Sequence, residues 1–123
     1  MSGILEMMSR LTVIYKPGDV VVPFPFTDKL SNKRRPALVV SSDSDFNAES
    51  GHVVLAMITS AANSPWPLDV ELSDLASAGL SSPSKVRMKL FTLDARLIIK
   101  TAGRLATDDA DNVNANLCKL ISV

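Results

Sequence analysis

A chain of 123 residues, 46% of them hydrophobic, suits one domain with a real core and is too apolar for a disordered polymer. Its 13 bases against 13 acids argue against a protein coated all over with nucleic acid. The single cysteine, Cys118, excludes an internal disulfide, and no apolar run approaches the length of about 18 residues that a membrane helix needs, so a cytoplasmic protein is expected.

The first residues, Met1 to Arg10, place Glu6 among Ile4, Leu5, Met7 and Met8 and read as neither signal peptide nor membrane span. Residues 1–12 are expected to form an N-terminal extension of a single domain covering 1–123. Lys16-Pro17-Gly18-Asp19 is a turn signal and leads into the β-branched run Val20-Val21-Val22. Pro23 and Pro25 cannot donate ladder hydrogen bonds, so Pro23-Phe24-Pro25-Phe26 is an edge strand or a loop stem. Thr27 to Arg35 is polar and reads as a long mobile loop, and Pro36 to Val40 as a buried strand. Asp43 to Gly51 reads as a polar connection and His52 to Thr59 as a strongly hydrophobic strand. Asn63-Ser64-Pro65-Trp66-Pro67 breaks the chain, and Leu68 to Leu72 alternates like a half-exposed strand. Gly79 to Ser84 is another loop, and Val86 to Leu105 should hold two or three strands, with Ala102-Gly103 as a bend. Only the end reads as a helix: Thr107 caps it, Asp108, Asp109 and Asp111 suit its N-terminal dipole, and Val113, Leu117, Leu120 and Ile121 share a face. Short strands with one terminal helix predict a mainly β fold, a strongly bent antiparallel sheet or small barrel.

The charges are segregated. Two stretches, Lys29 to Arg35 and Lys85 to Arg104, hold ten of the 13 bases, whereas Asp43 to Asp74 contains six acids and no Lys or Arg. Such a chain can present one basic face to a polyanion; the plainer alternative is two solvated basic runs.

Pro17 to Asp28, Lys33-Arg34-Arg35-Pro36-Ala37-Leu38-Val39-Val40, Ala56-Met57-Ile58-Thr59-Ser60, Ser84 to Asp94 and Gly103-Arg104-Leu105 follow one another in an order that resembles the MazF/PemK family of toxin endoribonucleases, over about residues 15–120. The resemblance implies an SH3-like barrel paired into a two-fold dimer with an RNA groove. It also implies cleavage of single-stranded RNA to a 2′,3′-cyclic phosphate and a 5′-hydroxyl, and an antitoxin whose segment lies in the same groove.

That chemistry requires the 2′-hydroxyl to lose a proton, the leaving 5′-oxygen to gain one, and the phosphorane charge to meet fixed donors. The ribose itself is the nucleophile, so DNA is not a substrate. The resemblance assigns Arg35, with its planar donor fork, as acid or charge stabiliser, and Thr59 as the hydroxyl on the phosphorane, with Ser60 as a second hydroxyl. It further implies RNA contacts from Phe26, Thr27, Lys33, Arg34, Arg87 and Lys89. On residue type alone, an Arg before Pro is a surface loop residue and a Thr ending a strand is a turn former.

One position departs from the pattern. Some relatives carry an aspartate two residues after the arginine, as base; here Arg87 is followed by Met88 and Lys89. Lys89 then binds phosphate, accepts a proton with its pKa lowered by neighbouring cations, or is a solvated strand residue. A non-catalytic RNA- or peptide-binding member of the same fold is the alternative that Lys89 sustains. Asp94 is expected to make a structural turn. His52 and Cys118 are the only residues of their kinds, so no zinc-like ligand spacing exists and no cofactor is expected. His52 reads as a surface residue, Cys118 as a small packed hydrophobe, and Trp66 as loop packing in preference to a stacking platform.

Overall fold

Among the described residues six strands form one antiparallel sheet: β1 (Asp19–Pro23), β2 (Ala37–Val39), β3 (His52–Ser60), β4 (Val70–Glu71), β5 (Ser84–Asp94) and β6 (Ile98–Arg104). The computed structural model describes residues 13–24 and 35–123. The expected extension 1–12 and nearly all of the expected loop 27–35 lie outside the described residues. The strand order is β4-β5-β3-β2-β1-β6, with no pairing that joins β4 to β6 among the described residues. The sheet is therefore bent and open, mainly β with a C-terminal helix, as expected.

The apolar runs are continuous because both faces of the central strands are buried. Val20, Leu38, Ala56, Ile58, Val86 and Met88 point to one cluster. Their neighbours Val21, Ala37, Val39, Val53, Leu55 and Leu93 point to the other. The terminal helix covers the first cluster through Val113, with Leu117 packed beside it.

Besides the terminal helix, short helical pieces accompany the strands. A π-helical turn, Asp43–Asn47, runs into a single turn α1 (Ala48–Ser50) where a plain polar connection was expected. Ser42 Oγ accepts from the Asp45 amide at 3.1 Å. Buried Asn47 donates to the carbonyls of Tyr15 at 2.8 Å and Ser41 at 3.1 Å, and this ties the turn to the sheet. The short helix α2 (Leu75–Ala78) is capped by Asp74 and ends at Gly79, whose φ is 71°. It packs so closely on β6 that a Cβ at Gly79 would lie 2.0 Å from the Ala102 carbonyl oxygen, and one at Gly103 2.5 Å from the Ala78 carbonyl carbon. The expected bend at Ala102-Gly103 is instead an irregularity inside β6. Val20 pairs with Gly103 and Val21 with Thr101, so Ala102 is an extra residue.

The helix α3 (Thr107–Leu120) has Ala106 as its N-cap with no side-chain cap, so Thr107 begins the helix and does not cap it. In the first turn of the helix, Asp109, only 1% exposed, turns its carboxylate onto the Ser73 and Asp74 amides. Of the expected apolar face, Val113 is buried while Leu120 and Ile121 are exposed. Cys118 is also exposed and does not pack in the core. Leu68 to Leu72 supplies only the two-residue strand β4, with Leu68 at a φ of 65°. No helix among the described residues is long and apolar enough to cross a membrane.

Candidate active site at the open end of the central hairpin

The two longest strands, β3 and β5, pair from His52↔Asp94 to Ser60↔Ser84. At the Ser60 end the ladder stops and the chain leaves through 61–69, so strand termini and loops meet around a cleft of about 800 Å³. Arg35 and Pro36 enter it from the start of β2, Thr59 and Ser60 from the end of β3, Asn63 from the following loop and Lys100 from β6. Ser81, Ser82 and Ser84 line the same wall, with Ser84 Oγ donating to the Ser82 carbonyl at 2.8 Å. The cleft thus gathers two cations and several hydroxyls, a donor set that suits a phosphodiester.

The three expected catalytic residues come together here. Arg35 is exposed, Thr59 half-buried and Ser60 exposed. Thr59 Oγ1 accepts a hydrogen bond from Asn63 Nδ2 at 2.5 Å, and Ser60 Oγ accepts from the Ala62 amide at 3.2 Å. Of the expected RNA contacts, Phe26, Thr27, Lys33 and Arg34 lie outside the described residues.

Arg87 and Lys89 are held away from the cleft lining. The β3–β5 pairing jumps from Ala56↔Leu90 to Met57↔Arg87, which leaves Met88 and Lys89 without β3 partners. Lys89 Nζ lies 4.3 Å from the Trp66 ring centroid, a cation–π contact. Arg87 sits 5.9 Å from the same ring and makes a forked pair with Asp69, Nε to Oδ1 at 3.2 Å and Nη2 to Oδ2 at 3.1 Å. Trp66, 42% exposed, is therefore a platform for two cations on the outside of the loop.

Asp69 organises this loop. Besides Arg87 it accepts from the Trp66 amide at 3.0 Å and pairs with Lys85 Nζ at 3.4 Å. Burial pushes the Asp69 carboxyl up, but donation from Arg87, the Trp66 amide and Lys85 outweighs it and holds the group below its ordinary value. Lys85 is only 5% exposed, and its ammonium also donates to the Asn63 carbonyl at 2.6 Å.

These pairs revise the expectation of a shared basic face. Lys85 and Arg87 share the single carboxylate of Asp69, Arg96 pairs with Asp94 at 2.7 Å and Arg104 with Asp19 at 2.7 Å. Of that basic stretch, Lys100 is the member that reaches the cleft. Asp94 makes the expected structural turn: its carboxylate accepts from the Arg96 side chain and amide, which holds it far below the usual carboxylate range. His52 is exposed, its Nδ1 2.9 Å from the Ser50 carbonyl oxygen. Among the described residues no group of three His, Cys, Asp or Glu side chains is arranged to hold a metal ion.

Sequence reasoning missed Asn63, Asp69 and Lys100. Asn63 stood in a segment read only as a chain breaker, and the acids of 43–74 were counted as a block, so the partner of Lys85 and Arg87 was invisible. Asp69 lies just before β4, which pairs with the strand that carries Lys85 and Arg87, and only that pairing brings the acid to the bases.

Residues 16–121 match the family described as PemK-like, MazF-like toxin of type II toxin–antitoxin systems. Among solved structures, the chain is similar to the MazE–MazF complex of Deinococcus radiodurans. In one crystal form the identity is 27% and the TM-score 0.68, over 88% of this chain and 96% of that one. In a second form the identity is 25% and the TM-score 0.66, over 89% and 96%. The fold also matches a mycobacterial endoribonuclease in complex with its cognate antitoxin, with 18% identity and a TM-score of 0.66 over 88% and 93%. No curated protein matches the sequence.

Proposed function

This chain belongs to the PemK-like, MazF-like toxins of type II toxin–antitoxin systems, and from that membership we propose that it is a metal-independent, sequence-specific endoribonuclease acting on single-stranded mRNA. The observation that carries the proposal is that Arg35, Thr59 and Ser60, from segments well apart in the chain, line one cleft together with Lys100.

In the proposed reaction a ribose 2′-oxygen attacks the adjacent phosphorus as its proton departs. The P–O5′ bond breaks, the 5′-oxygen takes up a proton, and the products are a 2′,3′-cyclic phosphate and a 5′-hydroxyl. Arg35 stabilises the pentavalent phosphorane through its donor fork, or supplies the proton to the leaving oxygen. The Thr59 hydroxyl donates to a non-bridging oxygen, with Ser60 beside it. Lys100 adds positive charge to the same wall. Lys89, over Trp66 and away from the cleft lining, contributes at most to RNA binding, and none of the described residues that line the cleft is a carboxylate base.

The toxin works in the cytoplasm as a homodimer whose joined grooves take RNA and, in competition, a segment of its cognate antitoxin. The MazE–MazF complexes among similar structures support the antitoxin part. Exposed Val13, Ile14, Leu120 and Ile121 supply apolar surface for pairing. The replacement of an acid by Lys89 favours one second reading, a binding module of the same fold that no longer cuts.

The deciding experiment incubates purified protein with a long single-stranded RNA in EDTA and maps the cut ends. Cleavage to cyclic phosphate and 5′-hydroxyl ends is expected, with RNA affinity falling steeply as salt rises. Activity abolished by EDTA and restored by magnesium would overturn the metal-free mechanism. Binding without cleavage would select the second reading.

A further inference from the structure

Asn63 has neither charge nor acid–base chemistry, yet its amide is bonded to the hydroxyl that the proposed reaction relies on. A threonine hydroxyl has one proton to donate and two lone pairs. Asn63 Nδ2, at 2.5 Å, occupies one lone pair of Thr59 Oγ1. The Thr59 proton is then directed away from Asn63, and both residues line the cleft.

Asn63 is itself held from two sides. Its backbone N–H donates to the Ser60 carbonyl at 3.0 Å, closing a tight turn immediately after β3. Its carbonyl accepts from Lys85 Nζ at 2.6 Å. Lys85 is the β5 residue directly opposite Thr59 in the ladder. Thr59, Asn63 and Lys85 therefore close a ring through one side-chain bond, one ammonium–carbonyl bond and one strand pairing. Asp69 locks the ring by pairing with Lys85 at 3.4 Å, and Asp69 is fixed in turn by Arg87 and the Trp66 amide. So much order around one small loop is unneeded for the core, since Asn63 is exposed.

We infer that Asn63 is a positioning residue: its amide fixes the rotamer and proton direction of Thr59, and the Lys85–Asp69 pair holds Asn63 in the place where it can do so. The inference rests on the reading that Thr59 donates to the phosphorane. A preset donor contributes to the rate because it need not reorganise as charge develops.

Two substitutions separate positioning from packing. Asn63→Ala removes the amide and leaves the Thr59 hydroxyl free to rotate. Asn63→Asp keeps the shape, but a carboxylate only accepts, so it draws the Thr59 proton toward itself and away from RNA. On a short RNA substrate, kcat should fall about tenfold in Asn63→Ala and about 10²-fold in Asn63→Asp, with KM little changed in both. The ratio of the Asn63→Asp rate to the Asn63→Ala rate should rise as pH falls toward the carboxyl pKa, because a protonated acid can donate to Oγ1 again. A packing role would move both variants alike at every pH. Trp66 is the only tryptophan, so its fluorescence reports whether the loop stays folded in each variant. Should Asn63→Asp disturb the loop, the double variant Thr59→Ala/Asn63→Ala decides instead. A rate no lower than that of Thr59→Ala alone upholds the inference, and independent, multiplying losses overturn it. Wild-type kcat in both Asn63 variants beside a slow Thr59→Ala overturns the positioning role, as does a raised KM with kcat intact. Wild-type cleavage by Thr59→Ala itself would instead sink the reading of the site.

Discussion

Asp69 and Asp109 are both carboxylates drawn well below the surface, at 13% exposure of the side chain and 1% of the residue respectively, and each ties down a loop. They use opposite partners. Asp69 is met by two cations, Lys85 and Arg87, and by the Trp66 amide. Asp109 is met only by neutral donors: the Ser73 amide at 3.0 and 3.1 Å, the Ser73 hydroxyl at 2.8 Å and the Asp74 amide at 3.0 Å. The Asp109 cluster lies at the N-terminal turn of α3, where the helix dipole also favours a negative charge. It fastens the helix to the segment after β4 and touches no residue of the cleft lining. The Asp69 cluster withdraws two bases from the surface and uses them to stiffen the loop that carries Asn63 beside Thr59. Charge here serves position more than attraction: Lys85 and Arg87, which looked available to RNA, hold the loop beside the cleft in shape.

Arg35→Ala and Thr59→Ala should each lower cleavage by about 10²-fold or more, the usual scale for losing a transition-state donor. Thermal unfolding should barely shift, since Arg35 is exposed and Thr59 only half-buried. Cleavage assays beside melting curves check both halves, and near-wild-type rates in the two variants would move the active site elsewhere.

Next come the two carboxylates. Asp109→Ala strands two amides and a hydroxyl and should cost about 2–3 kcal/mol of stability. Asp69→Asn leaves Lys85 without a counter-ion and should cost a comparable amount, about 2–3 kcal/mol. Only Asp69→Asn should also lower kcat per folded molecule, by several-fold (about fivefold) through Asn63. Urea titration with parallel cleavage assays tests this, and equal loss of kcat in the two variants would erase the distinction.

The smallest effect is the pH dependence that the two carboxylates share. Both are held below their ordinary value. At Asp109 burial pushes the carboxyl up, and the Asp74 and Ser73 amides with the Ser73 hydroxyl outweigh it. Asp69 behaves likewise through Arg87, the Trp66 amide and Lys85. A depressed folded pKa means that the stabilisation is complete above the unfolded value of about 3.9 and is lost as pH falls through the folded value. Urea midpoints should hardly change between about pH 7 and pH 5 and fall below about pH 4, less steeply in either variant. An acid limb as steep in Asp109→Ala as in the wild type would show that other groups carry it.

Much of the fold was legible because strand burial leaves a local trace. Val20 to Val22, Ala37 to Val39 and Val53 to Ile58 are apolar on consecutive positions, and consecutive burial is what a sheet covered on both faces demands. The terminal helix was legible from its period, but not its start: Thr107 looked like a cap, yet the helix has no side-chain cap, and its buried Asp109 bonds to partners far away in sequence at Ser73 and Asp74. The one-turn helix α2 was too short to leave a period. Gly79 and Gly103 looked like a loop residue and a bend, but both exist for the close crossing of α2 over β6.

Strand content, the terminal helix and the family follow from the sequence alone, since each rests on residue types within a short stretch or on motifs in order, and the same motifs single out Arg35 and Thr59 for the proposed site. Only the tertiary structure decided which charges remain available, because ion pairs form across the sheet and between loops. Asp19 reaches Arg104 and Asp69 reaches Lys85 and Arg87, and no local pattern signals which acid meets which base. It likewise decided that Lys100, and not Lys89, stands at the cleft: the break in β5 pairing at Met88 and Lys89 turns Lys89 onto Trp66, while β6 carries Lys100 opposite Val22 on the cleft wall.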